Sequence, residues 1–162
     1  MTDQSTALIQ RFYTAFQRRD AAGMGACYAP TVRFQDPVFT LESWRARAMW
    51  RMLCDRGKDL RVEFANVHAD ETSGSADWEA WYTFSVTGRP VHNVIHASFA
   101  LENGLIVRHT DQFDLYRWAA QALGLKGRLL GWAPPVQRAI RRQAASALEA
   151  YIRKQGLSEA TA

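Results

Sequence analysis

A histidine and an aspartate, two residues apart on an otherwise apolar run, are the first side chains in this sequence whose types and spacing could do chemistry. Between Leu105 and Leu115 the residues Val107, His109, Asp111, Phe113 and Leu115 fall on one face of a strand by period-two alternation. Either that face is solvated, or it lines a cavity that needs a group able to carry a proton. On the first reading Asp111 is a strand carboxylate paired with an arginine. On the second it faces a pocket, with His109 as its hydrogen-bond partner or as rim lining. Asp36, directly before Pro37, also has two readings. It can bond local backbone as a turn residue. Enclosed in apolar surroundings, its pKa would instead rise toward neutrality and make it a usable general base. His92 and His96 stand four apart on one strand, too far for easy shared ligation, so no metal site is expected.

The elements that must position these groups follow from periodicity. Leu8, Ile9, Phe12, Tyr13 and Phe16 give a helix over residues 5–19 with one buried stripe. Asp20 caps a short second helix that Pro30 ends, and Thr31–Asp36 reads as a strand. Glu42–Cys54 reads as a third helix, with Trp44, Ala48 and Met52 on one stripe. Four strands follow over residues 60–68, 76–86, 91–101 and 105–115, the last two joined by a tight turn at Asn103-Gly104. Trp78, Ala80, Tyr82 and Phe84 share one strand face, and Trp81 and Thr83 share the other. Helices followed by an antiparallel meander predict an α+β fold in which helices cover one face of a curved sheet. Such a cone encloses an apolar pocket, a natural site for a small molecule. Pro134-Pro135 starts a last helix to about Lys154, with Val136, Ile140, Ala144, Ala147, Leu148 and Tyr151 along its apolar side. The stretch from Leu123 to Trp132, with its glycines, is a candidate lid at the mouth of the cone.

The 162 residues suit one domain with a substantial core. No apolar run approaches the ~20 residues of a membrane span. The first residues lack a secretory pattern, and Cys27 and Cys54 show neither metal spacing nor pairing, so a reducing cytoplasm is the expected setting. The net charge of +4 is uneven: from Leu115 onward there are eight cations and two acids, leaving the preceding residues net acidic. Basicity confined to a tail argues against a nucleic-acid-binding fold. The final helix is basic and amphipathic, so it could lie on a membrane surface; packing on the domain or on a second subunit is the favoured reading.

Three segments carry a resemblance. Ile9–Asp20 resembles the opening helix of the NTF2-like superfamily, with the aspartate that ends it. Tyr28–Val38, including Asp36-Pro37-Val38, resembles the first strand of the ketosteroid isomerases in that superfamily. Phe99–Asp114 is similar to the last hairpin of limonene-epoxide hydrolase and the SnoaL-type polyketide cyclases. The resemblance implies an NTF2-like cone over residues 1–116, helices packed on a strongly curved antiparallel sheet, with residues 117–162 a helical extension on the same domain. It implies a catalytic set of Asp36 at the isomerase general-base position, His96 at the oxyanion-hole acid, and Asp111 at the catalytic aspartate of the hydrolase and cyclases. The isomerase tyrosine falls on Phe12, with Tyr13 one place on. The hydrolase Arg-x-Asp pair falls on Trp78 and Ala80, and its tyrosine and asparagine on Phe34 and Asp36. The expected pocket lining is therefore Phe12, Phe34, Trp78, Tyr82 and His109. Expected function is cofactor-independent acid–base catalysis, as isomerase, cyclase or hydrolase, on a small apolar ligand. The alternative is a non-catalytic lipophilic-ligand or interaction module. Pairing into a homodimer through the convex sheet face is expected in either case.

Overall fold

The computed structural model of the chain describes residues 2–162. Its elements run α1 (Thr2–Gln17), α2 (Ala21–Ala26), β1 (Tyr28–Gln35), β2 (Thr40–Glu42), α3 (Trp44–Arg56), β3 (Arg61–Ala69), β4 (Ser73–Phe84), β5 (Arg89–Glu102) and β6 (Leu105–Gln112). The tail adds α4 (Leu115–Ala122), α5 (Leu125–Leu130) and α6 (Pro134–Gln155). The strands form one curved sheet in the order β2-β1-β6-β5-β4-β3, not closed into a barrel. All pairings are antiparallel except β1 with β6, a parallel contact that their long connection in the chain permits. The α+β cone read from the sequence is the fold.

The stripe predicted on the first helix packs into the sheet: Leu8, Ile9, Phe12, Tyr13 and Phe16 are at most 2% exposed. α1 lies against β3 and β4, and α3 against β1 and β2. Asp20 caps α2 by accepting from the Gly23 amide at 2.9 Å. Asn103 and Gly104 both take positive φ, as a tight hairpin turn requires.

Strand β6 departs from the expected reading in two places. It ends at Gln112, and Asp114 caps a helix from Leu115 by accepting from the Arg117 amide, so Phe113 and Leu115 are not on the strand face. A β-bulge also interrupts its pairing with β5. Leu101 pairs Ile106, but Ala100 pairs Arg108, which leaves Val107 as the extra residue. Ile106 is fully buried and Val107 only partly so. Strict alternation from Ile106 would turn Arg108 and Thr110 inward. The bulge reverses the parity and turns His109 and Asp111 inward instead.

The tail completes the same domain. β5 runs on past the point where β6 stops, and α4 takes the vacated place. Gln121 bonds the His92 amide at 2.7 Å and the His92 carbonyl at 3.0 Å, pairing backbone that would otherwise be orphaned. Helix α6 packs on α3 through Leu148, Tyr151 and Ile152, with Tyr151 donating to Asp55 and Arg45 pairing Glu149 at 3.0 Å. The first half of the predicted α6 stripe stays at least partly exposed. Among the described residues no helix is long and apolar enough to cross a membrane.

Candidate functional site

The inward face of β6 carries the polar centre of the cone. His109 is fully buried and Asp111 is 3% exposed. His109 Nε2 lies 2.8 Å from Asp111 Oδ1, and its Nδ1 lies 2.7 Å from the Tyr28 hydroxyl. Trp50 Nε1 donates to the Tyr28 oxygen at 2.8 Å, and Trp78 Nε1 donates to Asp111 Oδ1 at 3.3 Å. Every donor is used if Tyr28 donates to Nδ1 and Nε2–H donates to the carboxylate, which fixes the imidazole tautomer. Asp111 Oδ1 thus takes both bonds. Its Oδ2 has no partner among the described residues.

Aromatic rings enclose this chain of hydrogen bonds. His109 lies 4.5 Å from the ring of Phe99, 5.1 Å from Phe34 and 5.4 Å from Phe12, and stacks on Trp50 at 6.0 Å. Tyr13 is the exception to the satisfied network. Its hydroxyl is buried and has no hydrogen-bond partner among the described residues. Burial first, then the negative field of Asp111, holds its pKa well above the usual tyrosine value, so the phenol keeps its proton. A buried donor left unpaired is costly, and it marks where an acceptor could bind.

Asp36 stands in the loop after β1, half-buried. Its Oδ1 accepts from the amides of Val38 at 2.7 Å and Phe39 at 2.6 Å, the local turn bonding that the sequence allowed. Burial nevertheless raises its pKa from 3.8 to about 6; those two amides pull it back, Asp111 pushes it up and His109 lowers it. Burial first, and then the charge of Asp36, raises the pKa of Tyr82. Tyr82 accepts from Trp118 Nε1 of α4 at 2.7 Å. It is α4 that closes on this end of the sheet, while the stretch from Leu123 to Trp132 expected as a lid sits against α4.

Ionisation of Asp36 has a calculable sign. Its folded value lies above its unfolded value, so the folded chain binds the extra proton between pH 3.8 and about 6. Stability contributed by this group is therefore highest below that window and falls as pH rises through it. Asp36→Asn keeps the amide bonds and removes the charge. It is expected to stabilise the fold by about 1–2 kcal/mol at neutral pH, an effect that vanishes near pH 4, as urea unfolding at the two pH values would read.

The cone thus brings together Phe12, Phe34, Trp78, His109 and Asp111, with Asp36 and Tyr82 toward α4. His96 is not among them. It is exposed on the convex face, bonded to Asp77 at 2.7 Å. The buried residues of β5 are Val91, Ile95, Ala97, Phe99 and Leu101, and His96 lies between two of them on the opposite face. His92 shares that outer face, bonded to Glu79 at 2.9 Å and stacked on Trp81. Tyr28 and Trp50, which hold the far end of the network, were not read as site residues from the sequence. Tyr28 entered the sequence reading only within the segment that carries the resemblance, and Trp50 falls outside the stripe of Trp44, Ala48 and Met52.

A sequence model of the SnoaL-like domain family matches residues 9–109. No curated protein matches the chain. Among solved structures, an LEH-like epoxide hydrolase of M. tuberculosis superposes with a TM-score of 0.63 at 18% identity, covering 80% of this chain and 98% of that one. A provisionally assigned SnoaL-like polyketide cyclase from Jannaschia sp. CCS1 gives a TM-score of 0.67 at 15% identity, over 76% of this chain and 94% of that one. A provisionally assigned ketosteroid isomerase from Kribbella flavida gives 0.56 at 20% identity, over 70% and 79%. At such identities the likeness establishes the fold alone.

Proposed function

The chain belongs to the SnoaL-like domain family, and on that premise we propose that it is a cofactor-independent acid–base catalyst acting on a small apolar carbonyl compound. The observation that carries this reading is a carboxylate and an imidazole, 3% and 0% exposed, bonded at 2.8 Å inside an aromatic cone. A core built only for stability gains little from burying such a pair. Asp111 Oδ2 takes a proton from the carbon next to the carbonyl, and His109 holds the carboxylate in place through Oδ1. The oxyanion role that the resemblance gave to His96 passes to the Tyr13 hydroxyl, a protonated donor with no other partner among the described residues. Asp36, with its pKa near 6, is ionised at neutral pH and accepts a proton at the mouth. The substrate reaches the interior past Tyr82 and Trp118, so opening at α4 accompanies each turnover.

In this mechanism Asp36 works as the carboxylate. The rate should rise with pH through about 6 and then level. Asp36→Asn, the variant that gains stability, should lose that limb and most of the activity. Retention of both in the variant would remove Asp36 from the chemistry.

A second reading rests on the packing. Phe12, Tyr13, Phe34 and His109 are at most 1% exposed, so the interior is well filled without a ligand. On that reading the cone is a core, and function lies on its surfaces. A homodimer through the convex face fits either reading. Val94 is 48% exposed there, and Trp81 lies between His92 and the Arg61 guanidinium, 3.9 Å from its ring.

A further inference from the structure

Helix α5 is built inside out. Its buried positions are Gly127 and, at its two ends, Gly124 and Gly131. A Cβ at Gly127 would run into the backbone carbonyl of Ala119 in α4, and one at Gly131 would meet the Gly127 carbonyl and the Ala119 methyl. The close approach of α5 to α4 therefore admits only glycine on the inner side. Every bulky residue is turned outward. Leu125 is 70% exposed, Leu129 62%, Leu130 46% and Trp132 65%, with Tyr116 of α4 nearby in the chain order at 39%. An ordinary amphipathic helix would bury these side chains. Trp132 is also fixed in its outward pose, its Nε1 donating to the Leu129 carbonyl at 2.9 Å.

The charge of this region is one-sided. From Leu115 to Leu148 the sequence contains no aspartate or glutamate and six cations: Arg117, Lys126, Arg128, Arg138, Arg141 and Arg142. Lys126 and Arg128 lie within α5 itself, both exposed between the leucines. A second copy of the same face would bring like charges together, which disfavours self-docking. The leucines protrude from a short helix, a shape that suits a deformable surface. Apolar tips set among cations match the headgroup boundary of an anionic bilayer, where leucine and tryptophan enter the acyl edge and lysine and arginine meet lipid phosphates.

We infer that the α5 tip, Leu125, Leu129, Leu130 and Trp132 with Lys126 and Arg128, docks the protein peripherally on an anionic lipid surface. The membrane contact that the sequence allowed for the last helix, against the favoured reading, is thereby assigned to α5 instead. The buried half of α6 is held on α3. Docking of the tip is independent of any chemistry inside the cone.

Cosedimentation of the full chain with vesicles tests it, using equal parts phosphatidylglycerol and phosphatidylcholine against phosphatidylcholine alone. The parent should bind the anionic vesicles and lose about tenfold in partitioning on neutral ones, and binding should weaken as salt rises. Leu129→Ser with Trp132→Ser, and separately Lys126→Glu with Arg128→Glu, should each lower binding to anionic vesicles about tenfold or more. All four side chains are exposed, so the urea midpoint should stay with the parent, and gel filtration should show an unchanged oligomer. Absence of parent binding to anionic vesicles would overturn the inference, as would binding that both double variants retain. A parent oligomer that the Leu129→Ser, Trp132→Ser variant dissociates would also overturn it, since the tip would then be a contact between copies.

Discussion

Replacing His109 with alanine is expected to cost about 3–5 kcal/mol of folding stability, the range for deleting a large ring from a closed core. Two losses combine. The imidazole is fully buried among Phe12, Phe34, Trp50 and Phe99, so its removal leaves a cavity that rigid rings cannot refill. It also leaves the Tyr28 hydroxyl proton without its acceptor and takes from Asp111 one of its two described donors. An acid that loses its donor in low dielectric is penalised further. Urea unfolding of the variant should show a midpoint well below that of the parent with an unchanged slope. A loss under about 1 kcal/mol would mean that water reaches the site freely and that the cone is not closed. His109→Phe separates the two losses, because it fills the cavity but restores no hydrogen bond.

Removing residues 134–162 should have a still larger effect. Helix α6 and the turn after it place Leu148, Tyr151, Ile152 and Leu157 in the same buried cluster as Phe12 and Trp50, each at most 9% exposed. At roughly 1.5–3 kcal/mol per buried side chain, the four together rival the roughly 5–15 kcal/mol that holds a whole domain folded. The truncated chain is expected to lose cooperative unfolding, seen as a broad, sloping urea transition. A sharp transition at the parent midpoint would show the tail to be dispensable.

That result also bears on how far the sequence could be read. The first helix, the Asn103-Gly104 hairpin and the meander were legible because each is a local pattern: a stripe of period 3.6, a turn that favours positive φ, and strands of period two. The depth of α6 in the core was not, since alanines fill the middle of its stripe and its partners on α3 lie about a hundred residues away, as in Arg45 with Glu149. Of the two readings the sequence left open for His109 and Asp111, the inward one is the structural one, but its expected reason, plain alternation with Val107, is not. The bulge at Val107 makes them inward, and no glycine or proline there announces it. His96 shows the opposite case. The apolar residues Ile95, Ala97, Phe99 and Leu101 already alternate against His96 and Ser98, and that pattern puts His96 on the outer face where the resemblance put it in the oxyanion hole. Tyr28 was missed because its partners, His109 and Trp50, are 81 and 22 residues distant.

Proton abstraction by Asp111 is the step on which the proposed chemistry depends, and hydrogen–deuterium exchange tests it whatever product the reaction forms. Small cyclic ketones, enones and lactones would be incubated with the protein in heavy water, and loss of the proton beside the carbonyl followed by NMR for the parent and Asp111→Asn. If Asp111 abstracts the proton, exchange above the buffer rate is expected for at least one compound with the parent, with a fall of about hundredfold or more in Asp111→Asn while the variant stays folded. Equal exchange by the two proteins, or none above buffer with the parent on any compound, would contradict it.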